Sequence, residues 1–340
     1  MKKHANIPVF IPHLGCPNQC VFCNQHTISG AKNFDPGSLK DIIESALETI
    51  DSETEVEIAF FGGSFTGIDR ELMTELLKTA YSYVVSGRVI SIRCSTRPDY
   101  INTEVLDILK KYGVKVIELG LQSVDEGVLS LTKRGHSFDS EAKACELIVS
   151  YGFDLVGQMM IGLPGSTLES ELKTADFIIK SGASAARIYP TVVFRDTELA
   201  EMTEKKIYTP LGEEEAITRA AAVKQRFIDC RVDVIRVGLC SSENLTGDET
   251  YFGGPNHPAI GELVENEIYY NIIYKKILHS GLVHNKKVTV FVSSGSLSKA
   301  IGQKKKNKIR LIKDFSLLDI VFFEDENLLN YEISINIQER

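Results

Sequence analysis

The sequence predicts an α/β protein, a parallel sheet followed by a small α/β appendage, and three observations predict it. Short β-rich runs alternate with longer helical patterns from residue 7 to about 238; the alternation stops after Cys240; and a second, shorter set of strand and helix patterns follows. Strand-like runs fall near Val9 and at Val56–Phe61, Val89–Ser95, Val116–Leu121, Phe153–Ile161 and Ala185–Tyr189. Helical periodicity covers 39–50, 69–86, 103–111, 125–131 with 140–150, 167–180 and 213–229. Asp69 and Thr103 stand just before such segments as side-chain acceptors for unpaired amides. Six strands in this rhythm suit an open doubly wound sheet or a barrel-like arc, and periodicity does not separate them. In both, ligand groups gather in loops at the carboxyl ends of the strands.

With 340 residues, 43% of them apolar and 25% charged, the chain suffices for one large core and a smaller unit. No apolar run approaches the ~20 residues a membrane span requires, and Met1 to Val9 lacks a signal peptide's apolar stretch, so a cytoplasmic protein without membrane contact is expected. Seven cysteines, an odd number at uneven spacing, argue against a disulfide framework and for a metal site in a reducing compartment. The net charge of −8 is unevenly spread: residues 281–313 hold nine basic residues and no acid, whereas 314–340 hold seven acids and one Arg. Such a local excess can serve as a surface for a polyanion.

The expected division is a core over 1–240, a connector loop and helix over 241–280, and a small α/β unit over 281–340. The connector is rich in Ser, Gly, Asn and Pro through Gly253-Gly254-Pro255-Asn256-His257-Pro258 and leads into a helix over 259–279. In the last unit, strand 287–292, helix 296–302, a lysine turn, helix 307–315 and strand 318–323 are expected.

Cys16-Pro-Asn-Gln-Cys20-Val-Phe-Cys23 follows the first strand and offers three thiolates from one short loop. Thiolates are the ligands of iron–sulfur clusters, and three of them on a cubane leave one iron open to an exogenous ligand. A zinc knuckle is the alternative, with His13 and His26 as loose fourth ligands. Cys94, Cys145, Cys230 and Cys240 read as core thiols.

The triplet resembles the radical S-adenosylmethionine (SAM) motif, including the aromatic Phe22 before the third cysteine. The resemblance implies a partial (β/α)6 TIM-like barrel, a [4Fe-4S] cluster on Cys16, Cys20 and Cys23, SAM bound at the open iron, and an electron donor such as ferredoxin or flavodoxin. It also implies cleavage of SAM to methionine and a 5′-deoxyadenosyl radical, with Phe22 near the adenine. Gly62-Gly63-Ser64 after the second strand is similar to the superfamily's Gly-Gly motif, whose backbone meets the SAM amino group; Ser64 replaces the acid often found there. Glu118, Gln122 and Arg134, at the end of the fourth strand and beyond it, carry a carboxylate, an amide and a guanidinium that together can recognise an amino acid and a ribose. Their spacing is similar to that of oxygen-independent coproporphyrinogen oxidase and the Elongator catalytic subunit, which implies SAM contacts for Gln122 and Arg134. Gln158, inside an apolar strand, needs a polar partner; a core hydrogen bond supplies one, and the resemblance implies a SAM ribose as another.

Ser95-Thr96-Arg97-Pro98-Asp99, Arg134-Gly135-His136 and Arg187-Ile188-Tyr189-Pro190-Thr191 extend the resemblance, closest to the radical SAM portion of the Elongator catalytic subunit, over roughly 7–200. It places Ser95 among the cofactor contacts and Arg97 and Tyr189 at a mouth facing substrate. No acetyltransferase domain is expected, because only about 100 residues follow Cys240. Ala300-Ile-Gly-Gln-Lys304-Lys305-Lys306-Asn-Lys308 resembles a degenerate KH loop, in which Lys305 stands where the second glycine belongs, and Lys304, Lys305 and Lys306 would face phosphates. Three functions therefore compete: a radical SAM enzyme acting on RNA such as tRNA, one acting on a small molecule such as a tetrapyrrole, and a cluster protein that binds RNA without catalysis.

Overall fold

The computed structural model describes residues 3–11, 14–16, 20–24, 34–239, 249–281 and 283–338. His13, His26 and Cys240 lie outside the described residues, as do Pro17, Asn18 and Gln19 of the cysteine segment.

In chain order the elements are β1 (His4–Ile11), α1 (Leu39–Thr49), β2 (Glu55–Gly62), α2 (Arg70–Val85), β3 (Ser91–Thr96), α3 (Thr103–Lys111), β4 (Val114–Gln122), α4 (Glu126–Leu131) and α5 (Phe138–Ser150). There follow β5 (Asp154–Ile161), α6 (Leu168–Lys180), β6 (Ala185–Pro190), β7 (Val193–Phe194), α7 (Glu198–Glu204), α8 (Glu213–Asp229), β8 (Asp233–Val237), β9 (Tyr251–Gly253) and α9 (Ile260–His279). The last are β10 (Lys287–Ser293), α10 (Leu297–Ile301), α11 (Lys306–Phe315), β11 (Asp319–Asp325) and β12 (Ile333–Gln338). Single-turn helices at Pro36–Ser38, Phe65–Gly67, Pro98–Tyr100 and Gln303–Lys305 join some of them.

The chain divides into two compact units. The first, residues 1–212 with 226–256, is a seven-stranded parallel sheet in the order β1-β2-β3-β4-β5-β6-β8. It is the curled half-barrel of the partial TIM-like type, with one strand more than the six expected. The added strand, β8, pairs with β6 at the sheet edge; its half-exposed Arg236 interrupts the apolar run that betrays the inner strands. Helix starts follow the polar residues before each periodic segment: Asp69 accepts from the amides of Glu71 and Leu72, and Thr167 with Ser170 forms a reciprocal capping box. The cap of α3 is Asn102, whose side chain accepts from Val105, one residue before the expected Thr103.

In-register pairing sends alternate side chains to opposite faces. Ile7, Ile58, Phe60, Ile92, Ile117, Leu119 and Ile188 share the helix-covered face with no solvent exposure, each worth about 1.5–3 kcal/mol relative to exposure. Gly157 belongs to that face, because a Cβ there would run into Ile178 of α6. The opposite, inner face carries Glu57, Arg93, Glu118, Gln158 and Arg187, so the concave side is charged.

The second unit, residues 213–225 with 257–340, holds a three-stranded sheet in the order β11-β10-β12. β10 runs parallel to β11 and antiparallel to β12. Tyr269, Ile273 and Ile277 of α9 pack on Val288, Val290 and Val292 of β10 and on Leu311 of α11. The long helix over 259–279, expected within a connector, thus contributes to the core of this unit, because its apolar stripe meets β10. Among the described residues, no helix is long and apolar enough to cross a membrane.

Candidate active site

The end of β2 anchors the segment leading to Cys16. Gly62 takes φ +114 and Gly15 takes φ +74, both in the left-handed region that glycine alone adopts freely. A Cβ on Gly15 would overlap the carbonyl oxygen of Ser64, so this chain crosses directly over the 64–67 turn. Gly63 N donates to Ile11 O at 2.9 Å and Ser64 N to Leu14 O at 3.1 Å. Ser64 is fully buried, its hydroxyl 2.8 Å from that of Thr96, and it accepts from the amide of Arg97 at 3.3 Å. Its side chain therefore ties β2 to β3.

The far side of the cysteine segment is held by the loop before α5. Val21 N donates to Thr132 O at 3.2 Å, and Leu199 N to Val21 O at 2.8 Å. Phe22 packs against Val21, Val193, Leu199 and Tyr208. Arg134 is buried; its Nη1 lies 3.3 Å from Cys20 Sγ and its Nη2 donates to Gly120 O. Arg97 approaches the same sulfur, Nη1 at 3.9 Å, while Nε and Nη2 grip Asp99 at 2.9 Å each and Nη2 also donates to Arg134 O at 2.5 Å. Burial pushes the Cys16 thiol above its ordinary value and Arg97 opposes it. Two guanidiniums beside Cys20 place positive charge where an anionic group would be held.

Gln122 closes β4 where its pairing with β5 skips a residue, and it adopts φ +71. A bulge and a left-handed non-glycine residue concentrate strain at this strand end. Gln122 Oε1 and Arg134 Nε are buried without a hydrogen-bond partner. A buried acceptor and a buried donor left open, the donor on the guanidinium that reaches Cys20, fit an incoming polar ligand with amino-acid and ribose groups. Among the described residues no three His, Cys, Asp or Glu side chains converge as ligands of a single metal ion. The fit of Cys16, Cys20 and Cys23 to a cluster therefore rests on thiol chemistry in a cationic setting.

Glu118, expected among the cofactor contacts, is held by side chains of the chain itself. It is fully buried on the inner face, where Oε1 accepts from Arg93 Nη1 and Arg187 Nη2 and Oε2 from Gln158 Nε2, each at 2.9 Å. Arg187 Nε stands 2.7 Å from Oε2 as well. These partners use up the carboxylate, whose task is to neutralise two buried arginines. Gln158 also donates to Ser95 Oγ at 3.3 Å, so its amide nitrogen belongs to the same network. Arg93 continues to Glu57, which accepts from Ser91 and faces His4. Above this layer sits half-buried Tyr189, hydrogen-bonded to Arg187, whose guanidinium lies 5.5 Å from the centre of the Phe61 ring.

The structure thus brings together Cys16, Cys20, Arg97, Gln122 and Arg134, with Ser64 and Ser95 in supporting hydrogen bonds. Lys304, Lys305 and Lys306 belong to the second unit, all exposed, with Lys304 (φ +52) and Lys305 (φ +61) left-handed. Cys94 and Cys145 are buried, with burial raising both thiols, Cys145 to about 12. Cys230 is exposed at the end of α8, correcting its reading as a core thiol. Sequence reasoning missed Gly15, whose only signal was its place beside Cys16, and Glu141, an acid in a first helical turn that drew no notice.

Comparison with known proteins bears on this geometry. The family model of the Radical SAM superfamily matches residues 10–178, and that of the Radical_SAM C-terminal domain matches 183–270. An uncharacterised protein of Methanocaldococcus jannaschii is 32% identical over 229 residues, 64% of this chain and 70% of the relative. A tRNA uridine(34) acetyltransferase of Methanocaldococcus infernus is 29% identical over 54% of this chain, which spans only 39% of that protein. In fold, the chain is similar to the archaeal Methanocaldococcus infernus Elp3 with an N-terminal deletion, at a TM-score of 0.63 and 24% identity, covering 82% of this chain and 64% of that one.

Proposed function

The chain belongs to the radical SAM superfamily of enzymes, and on that premise we propose that it reductively cleaves SAM at a [4Fe-4S] cluster held by Cys16, Cys20 and Cys23, and acts on RNA, with tRNA the first substrate to test. The observation that carries the reading is the approach of Arg134 and Arg97 to Cys20, together with the open Gln122 oxygen. When bound, the cluster and SAM supply a one-electron reduction and a carbon-centred radical able to take hydrogen from a substrate.

The chain's own residues bind and orient. Arg134 offers its unpartnered Nε to a carboxylate, and Gln122 offers its buried carbonyl to an amino or hydroxyl donor. Gly62 lets β2 lie directly against the Ile11 backbone and so fixes the strand end from which Gly63 and Ser64 would face the amino group, and half-buried Phe22 presents a ring to a nucleobase. Arg97 holds its place through Asp99 and adds positive charge beside the thiols. Tyr189 and Arg187 line the inner face below, where a substrate would rest.

Support for RNA comes from the tRNA-modifying relative and from the second unit, whose β10-α10-turn-α11-β11 order presents three exposed lysines at the turn. The test is anaerobic reconstitution followed by dithionite and SAM, with and without tRNA. Release of 5′-deoxyadenosine that rises with tRNA is expected. No release overturns radical catalysis, and release indifferent to RNA but raised by a metabolite moves the substrate to small molecules.

A further inference from the structure

His136 and Glu141 form a buried pair that the binding of cluster and SAM does not use. Their side chains are 1% and 0% exposed, and His136 Nδ1 lies 3.4 Å from Glu141 Oε1. Neither imidazole nitrogen nor either carboxyl oxygen has a side-chain hydrogen-bond partner, and the Ser137 backbone lies close to the His136 ring. Such groups ordinarily find partners, and leaving them unmet costs stability. The pair sits on the segment that holds the cysteines: His136 is two residues from Arg134, and Glu141 is in the first turn of α5.

The charged and titratable groups facing the pair are Arg134, Arg97 and Asp99 around His136, with Arg134, Glu126 of α4 and Cys145 of α5 around Glu141. Burial, followed by the repulsion of Arg134 and Arg97, drops His136 to about 3, and burial lifts Glu141 to about 9. At neutral pH the two are an uncharged acid beside a neutral imidazole. That state has a consequence for Arg134, whose Nη atoms serve Cys20 and Gly120 while Nε stays open. A carboxylate at Glu141 would compete for the guanidinium in a medium of low polarity, where the attraction is strong. A neutral carboxylic acid does not.

We propose that His136 and Glu141 are positioning residues for Arg134: as an uncharged pair they leave its guanidinium to Cys20 and to the ligand beside it, and ionisation of Glu141 draws it away. The catalytic consequence rests on the function proposed above, whereas the effect on Cys20 does not. The test therefore has two readouts on the full chain, wild type against Glu141→Gln, which keeps the shape and cannot ionise.

In the metal-free protein, alkylation of Cys20 by iodoacetamide is followed by peptide mass spectrometry from about pH 7.5 to about pH 10. The rate of wild type relative to Glu141→Gln is expected to fall roughly threefold or more over that range, because Cys20 then loses the guanidinium that lies 3.3 Å from its sulfur. A ratio that stays constant overturns the proposal; if Glu141→Gln does not fold, Glu141→Met, of similar length and without charge, gives the same comparison. In the reconstituted protein, wild-type SAM cleavage should decline on an alkaline limb near pH 9 that Glu141→Gln lacks, a shift mere packing would not produce. An alkaline limb shared by both proteins also overturns the proposal. Absence of SAM cleavage at every pH defeats the proposed function and leaves the alkylation ratio to decide the pair, whereas cleavage with a constant ratio defeats the pair alone.

Discussion

Arg134 reaches from the loop before α5 to within 3.3 Å of Cys20 Sγ, and the same residue's carbonyl takes a hydrogen bond from Arg97. One side chain and one backbone oxygen thus join the cysteine segment, β3 and β4 into a single cationic cradle. Replacing Cys20 by Ala should abolish cluster assembly, read as lost iron and sulfide and lost visible absorbance after anaerobic reconstitution. Arg134→Lys keeps the charge but not the fork, so iron content should hold while SAM cleavage falls by about tenfold or more. Equal cleavage in the lysine variant would remove Arg134 from ligand binding.

Glu118 offers a test of the inner face. Glu118→Ala leaves Arg93 and Arg187 buried without their shared carboxylate, which should cost about 3–5 kcal/mol in denaturant unfolding. A loss below about 1 kcal/mol would mean that water readily takes the carboxylate's place.

The His136–Glu141 pair has a signature in stability against pH. His136, lowered from 6.5 to about 3, contributes stability present above 6.5 and lost as pH falls toward 3. Glu141, raised from 4.5 to about 9, contributes stability present below 4.5 and lost as pH rises toward 9. The slopes oppose and cancel between 4.5 and 6.5, so the pair's contribution is level there and falls on both sides. Thermal melts of the metal-free protein should show the alkaline decline in wild type and a flatter one in Glu141→Gln.

The lysine turn makes a separate prediction. Changing Lys304, Lys305 and Lys306 together to Ala should weaken tRNA binding and flatten the plot of log affinity against log salt by up to ~0.9 per lost phosphate contact. An unchanged slope in filter binding over a salt series would assign those lysines to solvent. Lys305→Gly, at a left-handed position, should stabilise the chain by about 0.5 kcal/mol, measured by denaturant unfolding.

Much of this architecture could be read from the sequence because the β-rich runs of β1 to β6 are long, apolar and flanked by helical periodicity. β8 escaped because an edge strand of five residues with Arg236 in it lacks a continuous apolar run. β12 escaped for another reason: Ile333, Ile335 and Ile337 do alternate with polar residues, but six residues near a charged terminus carry little signal alone. The three cysteines and Arg134 were visible as motif residues. The saturation of Glu118 was not, since its partners come from three other strands, and neither was the burial of His136 with Glu141, since that is a property of three-dimensional neighbours.

The half-barrel's outermost strands, β1 and β8, are not joined in the sheet. A closed cylinder surrounds its interior with strands on every side. A sheet that stops short of closure ends in two margins, so the charged inner face of Glu57, Arg93, Glu118, Gln158 and Arg187 is framed by β1 on one flank and β8 on the other, with no further strand of that sheet beside either among the described residues.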